Sequence, residues 1–126
     1  MGVLPYNREK RIASEVFELL SRVIHNELSD PRLSGIQLTD GEMTKDLKIF
    51  KLYYYVEGDE KRKEEARHGL ESAVGYMKFC ISRRLSLRFV PEIRCYFDKT
   101  IESAERIDGI LRVIGEKNKD DEGRDE

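Results

Sequence analysis

This 126-residue chain has few of the residues on which covalent and metal cross-links depend. Its two cysteines, Cys80 and Cys95, are too few for a disulfide framework, so we expect both to be reduced and structural. Its two histidines, His25 and His68, have none of the short spacings that build a metal site. We therefore predict no metal and no other cofactor. A chain of this length can bury a working core as a single domain without cross-links.

Signatures of membrane insertion and catalysis are also lacking. No stretch approaches the roughly 18 apolar residues that cross a bilayer, and residues 1–8 lack the apolar core of a signal peptide. No glycine-rich phosphate loop follows a predicted strand, and no histidine base can be assigned to a nucleophile. We therefore expect a cytoplasmic monomer that is not an enzyme, with no membrane partner and no small-molecule substrate.

Charge is abundant but unevenly distributed. Charged residues make up 38% of the chain, and the net charge is only −2. Residues 116–126 carry −3 and no apolar residue, so we predict a disordered tail after a folded domain at residues 1–115. By contrast, the segment from Lys78 to Arg94 carries five basic residues against Glu92 alone. A basic face of this kind favours nucleic-acid binding, and the alternative is a solvated helix surface.

Apolar periodicity predicts the order of helices and strands. Ile12, Val16, Leu19 and Val23 recur at helical spacing, which predicts a first helix over residues 7–28 that ends before Pro31. Alternating residues predict a hairpin of strands at 36–43 and 47–56, and a third strand at 93–97. A helix from about residue 60 is expected to break at the small residues 72–75 and to continue as a second half. A last helix is expected at 101–114.

This order predicts an α+β fold of the KH-like kind, α-β-β-α-kink-α-β with an added C-terminal helix. Helices should cover one face of a three-stranded mixed sheet. Gly75 would let the two helical halves meet closely, and Ala73 would keep that contact small. A usual KH domain clamps nucleotides with a Gly-x-x-Gly loop between these helices. Here only Gly75 is present at the break, so recognition of RNA would rest on surface charge and RNA shape.

The candidate RNA-binding residues are mostly the side chains that neutralise phosphates, together with an aromatic ring that can stack on bases. Tyr76 and Phe79 lie at helical spacing away from the predicted core stripe. The RNA-binding candidates are Arg8, Lys10, Arg11, Arg32, Lys45, Tyr76, Lys78, Arg83, Arg84 and Arg88.

Six short segments together resemble the ribosome-binding factor A family over nearly the whole predicted folded length. They are DPRL at 30–33, EMTKDL at 42–47, AVGYMK at 73–78, RRL at 83–85, VPEI at 90–93 and DKT at 98–100. Tyr76, Lys78 and Cys95 stand where the family often has Phe, Arg and Phe.

The resemblance implies a type II KH-like domain whose Gly-x-x-Gly loop is replaced by an Ala-x-Gly kink, here at residues 73–75. It also implies binding to the 30S ribosomal subunit and its 16S rRNA during late maturation. Support of 16S rRNA 5′-end processing and of growth in the cold is implied as well. From the residues alone, two alternatives stay open: a general RNA-binding KH-like protein, and a protein-interaction module that uses the basic helix.

Overall fold

The computed structural model describes residues 7–100, which form two long helices and a three-stranded sheet. In chain order the elements are α1 (Arg8–Arg22), a π turn (Val23–Glu27), a 3₁₀ turn (Pro31–Leu33), β1 (Gln37–Met43), β2 (Ile49–Tyr55), α2 (Glu60–Arg84) and β3 (Glu92–Phe97). The predicted helix at 101–114, the predicted tail at 116–126 and the domain boundary between them lie outside the described residues.

Helix α1 begins at a capped end and buries one side. The side chain of Asn7 accepts a hydrogen bond from the backbone N–H of Lys10 at 3.3 Å, which satisfies one of the free donors of the first turn. The apolar stripe of α1 is buried, including Val16 and Leu20. The helical backbone continues to Glu27, close to the predicted end, but its last turn widens: Leu28 N–H donates to the Val23 carbonyl at 3.2 Å.

The sheet has the order β1-β2-β3, with β1 and β2 antiparallel and β2 and β3 parallel. This confirms the predicted three-stranded mixed sheet. Phe50, Leu52 and Tyr54 on β2 are buried in the core that includes residues from both helices, as their alternation predicts. Tyr55, which alternates onto the opposite face, is nevertheless buried, and its ring centroid lies 5.5 Å from that of Phe97.

Helix α2 is one unbroken α-helix, which corrects the predicted division into two halves at residues 72–75. Its N-terminus is capped by Asp59, whose side chain accepts a hydrogen bond from the backbone N–H of Arg62 at 2.9 Å. Ala66, Leu70 and Met77 are fully buried, so one apolar face runs through the expected break. Packing along that face outweighs the weak helix propensity of Ser72 and Gly75.

The close approach of α2 to its surroundings is at Gly69 and not at Gly75. Gly75 is exposed, and a Cβ added there would meet no atom within 4 Å. A Cβ added at Gly69 would lie 2.9 Å from Cβ of Arg32 and 3.2 Å from Cδ2 of Leu33. The predicted tight contact at Gly75 is therefore wrong. Ala73, the other residue assigned to the kink, is buried within the continuous helix.

Candidate nucleic-acid interface

A groove of about 850 Å³ lies among the start of α1, the β1–β2 turn and the loop at 85–90. We call it the basic groove, because five basic and two acidic side chains line it. Four of the basic residues were predicted from the sequence. The basic residues are Arg8, Arg11, Lys48, Arg84 and Arg88, and the acidic residues are Glu15 and Asp46.

Local structure explains why residues so distant in sequence meet there. Arg8 and Arg11 lie three positions apart in the first turn of α1, so they share one side of the helix. The loop at 85–90 is held at both ends. Leu85 N–H donates to the Ile81 carbonyl at 3.1 Å, and Glu92 N–H donates to the Lys48 carbonyl at 2.8 Å. Pro91, between the loop and β3, is fully buried.

The cations of the basic groove differ in whether they are already paired. Arg11 lies 3.5 Å from Glu15 on the same helix, an exposed pair that is weak by nature. Within residues 7–100, Arg8 and Arg88 form no ion pair. The guanidinium of Arg88 lies 5.7 Å from the ring centroid of Phe89, which is 74% exposed. The groove therefore offers an anion two guanidinium groups that have no ion pair within the described residues, beside an exposed aromatic ring.

Arg84 is held by a carboxylate from the other helical segment. Its guanidinium donates to both oxygens of Glu27, at 2.5 and 2.8 Å, and the hydroxyl of Tyr76 donates to Oε1 of Glu27 at 2.8 Å. We call this arrangement the Glu27 clamp. It joins the π turn to α2. Arg84 was predicted as a phosphate ligand; in the clamp its charge is already paired with that of Glu27.

The Glu27 clamp shifts the ionisation of all three groups. Hydrogen bonds from Arg84 and then Tyr76 lower the pKa of Glu27 to about 2. The hydrogen bond to Glu27 raises the pKa of Tyr76 to about 12, and it also raises the pKa of Arg84. Because the folded pKa of Glu27 is depressed from 4.5, its stabilising contribution is lost as the pH falls from 4.5 towards 2. The contribution of Tyr76 is lost as the pH rises from 10 through 12.

We therefore expect Glu27→Gln to lower the titration midpoint of Tyr76 from about 12 towards 10. The neutral amide removes the negative charge that penalises the phenolate. NMR of ¹³Cζ-labelled tyrosine across alkaline pH measures the midpoint, and the spectrum of Tyr76→Phe assigns the resonance. Tyr53, whose pKa is raised mainly by burial and whose hydroxyl donates to Glu42, is the internal control. An unchanged Tyr76 midpoint in Glu27→Gln would contradict the clamp.

The outer face of α2 carries the remaining predicted residues of that helix. The rings of Tyr76 and Phe79 stack with centroids 6.2 Å apart and planes inclined by 30°. The guanidinium of Arg83 lies 5.8 Å from the Phe79 centroid, and Lys78 is exposed beside them. Tyr76 is 38% and Phe79 is 54% exposed, so both rings are accessible to a ligand.

The other three candidates lie apart from the basic groove. Arg32 is bound by both carboxylate oxygens of Asp30, and its nearer ion-pair distance is 2.7 Å. Lys10 and Lys45 line a second groove of about 740 Å³ with four acidic and three basic side chains. We call it the mixed groove; its charges make it a poor site for phosphate. The acidic residues are Glu9, Glu18, Asp40 and Glu42, and the third lysine is Lys51.

Two residues of the basic groove were missed by the sequence reasoning. Lys48 lies in the same hairpin turn as Lys45, which was predicted, and Phe89 was not singled out within the segment before Pro91. For Phe89 a signal existed: an aromatic residue beside an arginine, in a stretch without helical or strand periodicity, has no predicted element to bury it. For Lys48 the sequence contains no such signal.

The described residues also bear on metals, membranes and thiols. Among residues 7–100, no three His, Cys, Asp or Glu side chains are grouped to hold a metal ion. No helix within that range is long and apolar enough to cross a membrane. Both cysteines are free; Cys80 is buried, and burial raises the pKa of the Cys95 thiol to about 11. A thiol with so high a pKa is a poor nucleophile near neutral pH.

Two helices joined to a three-stranded mixed sheet in α-β-β-α-β order define the class of this protein: an α+β domain of the KH-like kind. The sequence narrows the class, because a family model described as ribosome-binding factor A matches residues 8–111. The chain belongs to the ribosome-binding factor A family.

Individual relatives agree with this assignment. Ribosome-binding factor A of Clostridium botulinum (strain Okra) is 43% identical over 115 residues, which cover 90% of this chain and 96% of the relative. The protein of the same name from Desulfatibacillum aliphaticivorans is 37% identical over 108 residues, with 86% and 88% of the two chains covered.

Two solved structures are also similar. The solution NMR structure of a Thermotoga maritima protein, described as a candidate ribosome binding factor A, has a TM-score of 0.67 at 32% identity and covers 80% of this chain and 96% of that one. The crystal structure of ribosome-binding factor A from Thermus thermophilus has a TM-score of 0.64 at 21% identity, covering 71% and 94%. The latter likeness bears on the fold alone.

Proposed function

We propose that this protein is a ribosome biogenesis factor that binds the 30S subunit through its 16S rRNA and uses the basic groove for that contact. The observation that carries the proposal is the meeting of Arg8, Arg11, Lys48 and Arg88 in one groove of a KH-like domain. Family membership supports the ribosome as the partner. The protein acts as a cytoplasmic monomer in late subunit maturation. It supports 5′-end processing and growth in the cold, and it catalyses no reaction itself.

The groove suits a folded RNA better than a single strand held by its backbone. Helix α2 is continuous through residues 72–75, so it has no Gly-x-x-Gly loop there to clamp successive nucleotides. Basic side chains held at fixed positions in a groove instead bind phosphates whose spacing on a folded RNA surface matches their own. Each phosphate that the groove neutralises releases condensed counterions, so binding should weaken as salt rises.

Co-sedimentation of the purified protein with 30S, 50S and 70S particles tests this proposal. We expect binding to 30S that weakens by about 10-fold or more between about 50 and 200 mM salt, because several phosphates are contacted. The 70S particle should not bind. Equal binding to an unstructured RNA such as poly(U) would favour a general RNA-binding protein. Binding to neither RNA nor 30S would favour the protein-interaction alternative and would overturn the proposal.

A further inference from the structure

The stacked rings of Tyr76 and Phe79, which we call the α2 aromatic pair, are exposed in a way that core formation does not explain. Phe79 leaves 54% of its surface accessible, whereas the apolar side of α2 is buried. With the rings 6.2 Å apart and Arg83 at 5.8 Å from Phe79, the three groups form a short stack at the surface. Phe79 is in contact with both neighbours, and the exposed part of its ring remains available to a further planar group.

The stack is held in place before any ligand arrives. Tyr76 is anchored by its 2.8 Å hydrogen bond to Glu27, and Glu27 is in turn held by Arg84. Phe79 lies one helical turn further along the same rigid helix. A ring whose position is already restricted loses little conformational entropy when a ligand stacks on it.

The α2 aromatic pair lies beside the basic groove, which can bind anions. Arg84 lines the basic groove and also belongs to the Glu27 clamp, so the groove and the α2 aromatic pair adjoin. Lys78 and Arg83 are exposed next to the rings, while Arg84 neutralises Glu27, whose carboxylate is in contact with Tyr76. A polyanion that occupies the groove therefore meets further positive charge along α2.

We propose that Phe79 is a stacking platform for an unpaired base of the folded RNA, next to the segment that lies in the basic groove. The inference rests on the proposed function and adds the chemistry of one contact. A nucleotide combines a flat base, which can stack on Phe79, with a negatively charged phosphate, which Lys78 and Arg83 can neutralise. The large apolar side chains exposed within residues 7–100 are all aromatic: Tyr76, Phe79, Phe89 and Tyr96.

Phe79→Leu and Phe79→Tyr separate stacking from mere apolar contact. Leucine keeps apolar area but has no ring, so we expect the Kd for 30S subunits to rise by about 5- to 100-fold. Tyrosine keeps the ring, so its Kd should stay within about twofold of the wild-type value. Tyr96→Leu, which removes an exposed ring from β3, is the matched control and should leave the Kd unchanged. Thermal melts monitor folding, which exposed positions should preserve.

Photocrosslinking identifies what lies on the ring. In Phe79→p-benzoylphenylalanine bound to 30S, we expect a crosslink to an unpaired nucleotide of 16S rRNA, read as a reverse-transcription stop. A crosslink to a ribosomal protein alone, or unaltered 30S affinity in Phe79→Leu, would overturn the platform while 30S binding of the wild type still stands. Failure of the wild-type protein to bind 30S would overturn the proposed function and this inference together.

Discussion

Gly69→Val should lower the free energy of unfolding by about 1–3 kcal/mol, whereas Gly75→Val on the same helix should change it by less than about 0.5 kcal/mol. At Gly69 even a Cβ would lie 2.9 Å from Cβ of Arg32, an atom next to the backbone that has little freedom to move. At Gly75 a Cβ would meet nothing within 4 Å. Thermal or urea denaturation measures the difference, at about 4 °C of Tm per kcal/mol for a chain of this size.

Gly75→Ala supplies the control for helix propensity. Alanine in an exposed helix interior is more favourable than glycine by about 0.5–1 kcal/mol, so this variant should be slightly more stable than wild type. Gly69→Ala gains the same propensity but meets the close contact with Arg32, so it should be the less stable alanine variant. Equal destabilisation at both positions would restore the predicted contact between two helical halves at Gly75.

The contrast between these glycines shows what local sequence can predict about this fold. Periodicity located α1, the hairpin and β3, because apolar spacing directly records which side of an element is buried. A run of small residues indicates where another segment can approach closely, but not whether one does. That depends on the 3₁₀ turn at Pro31–Leu33, which meets α2 at Gly69. The spacing of residues within α2 contains no information about this turn.

For the candidate site, too, the sequence predicts one part and leaves another part open. The sequence identifies the cations, and the basic groove collects Arg8, Arg11, Arg84 and Arg88 from both ends of the described chain. The sequence does not determine which of these cations form ion pairs. The sequence alone does not distinguish Arg84 from Arg88 as phosphate ligands. In the structure, Arg84 is bound by Glu27 from a distant segment, whereas Arg88 has no ion pair within residues 7–100. A pairing of this kind depends on tertiary structure, because the partner comes from another helical segment.

Arg8→Glu combined with Arg88→Glu should weaken binding to 30S subunits by about 100-fold or more at low salt. Both side chains line the basic groove, and neither is engaged in an ion pair within the described chain. Reversal replaces attraction for phosphate by repulsion. The slope of log K against log salt should also become shallower, by about 0.9 for each duplex phosphate that the variant no longer neutralises and by about 0.7 for each single-stranded one. Equilibrium binding to 30S over a salt series gives both quantities.

Lys10→Glu combined with Lys45→Glu is the matched control, since it makes the same change in net charge at two residues of the mixed groove. Acidic side chains already offset those lysines, so we expect a much smaller loss of 30S affinity. Arg84 is left out of the comparison, because its replacement would also release Glu27 and Tyr76. Both double variants should melt near the wild-type temperature, because all four side chains are exposed. Equal weakening by the two would show that total charge, and not the basic groove, governs binding.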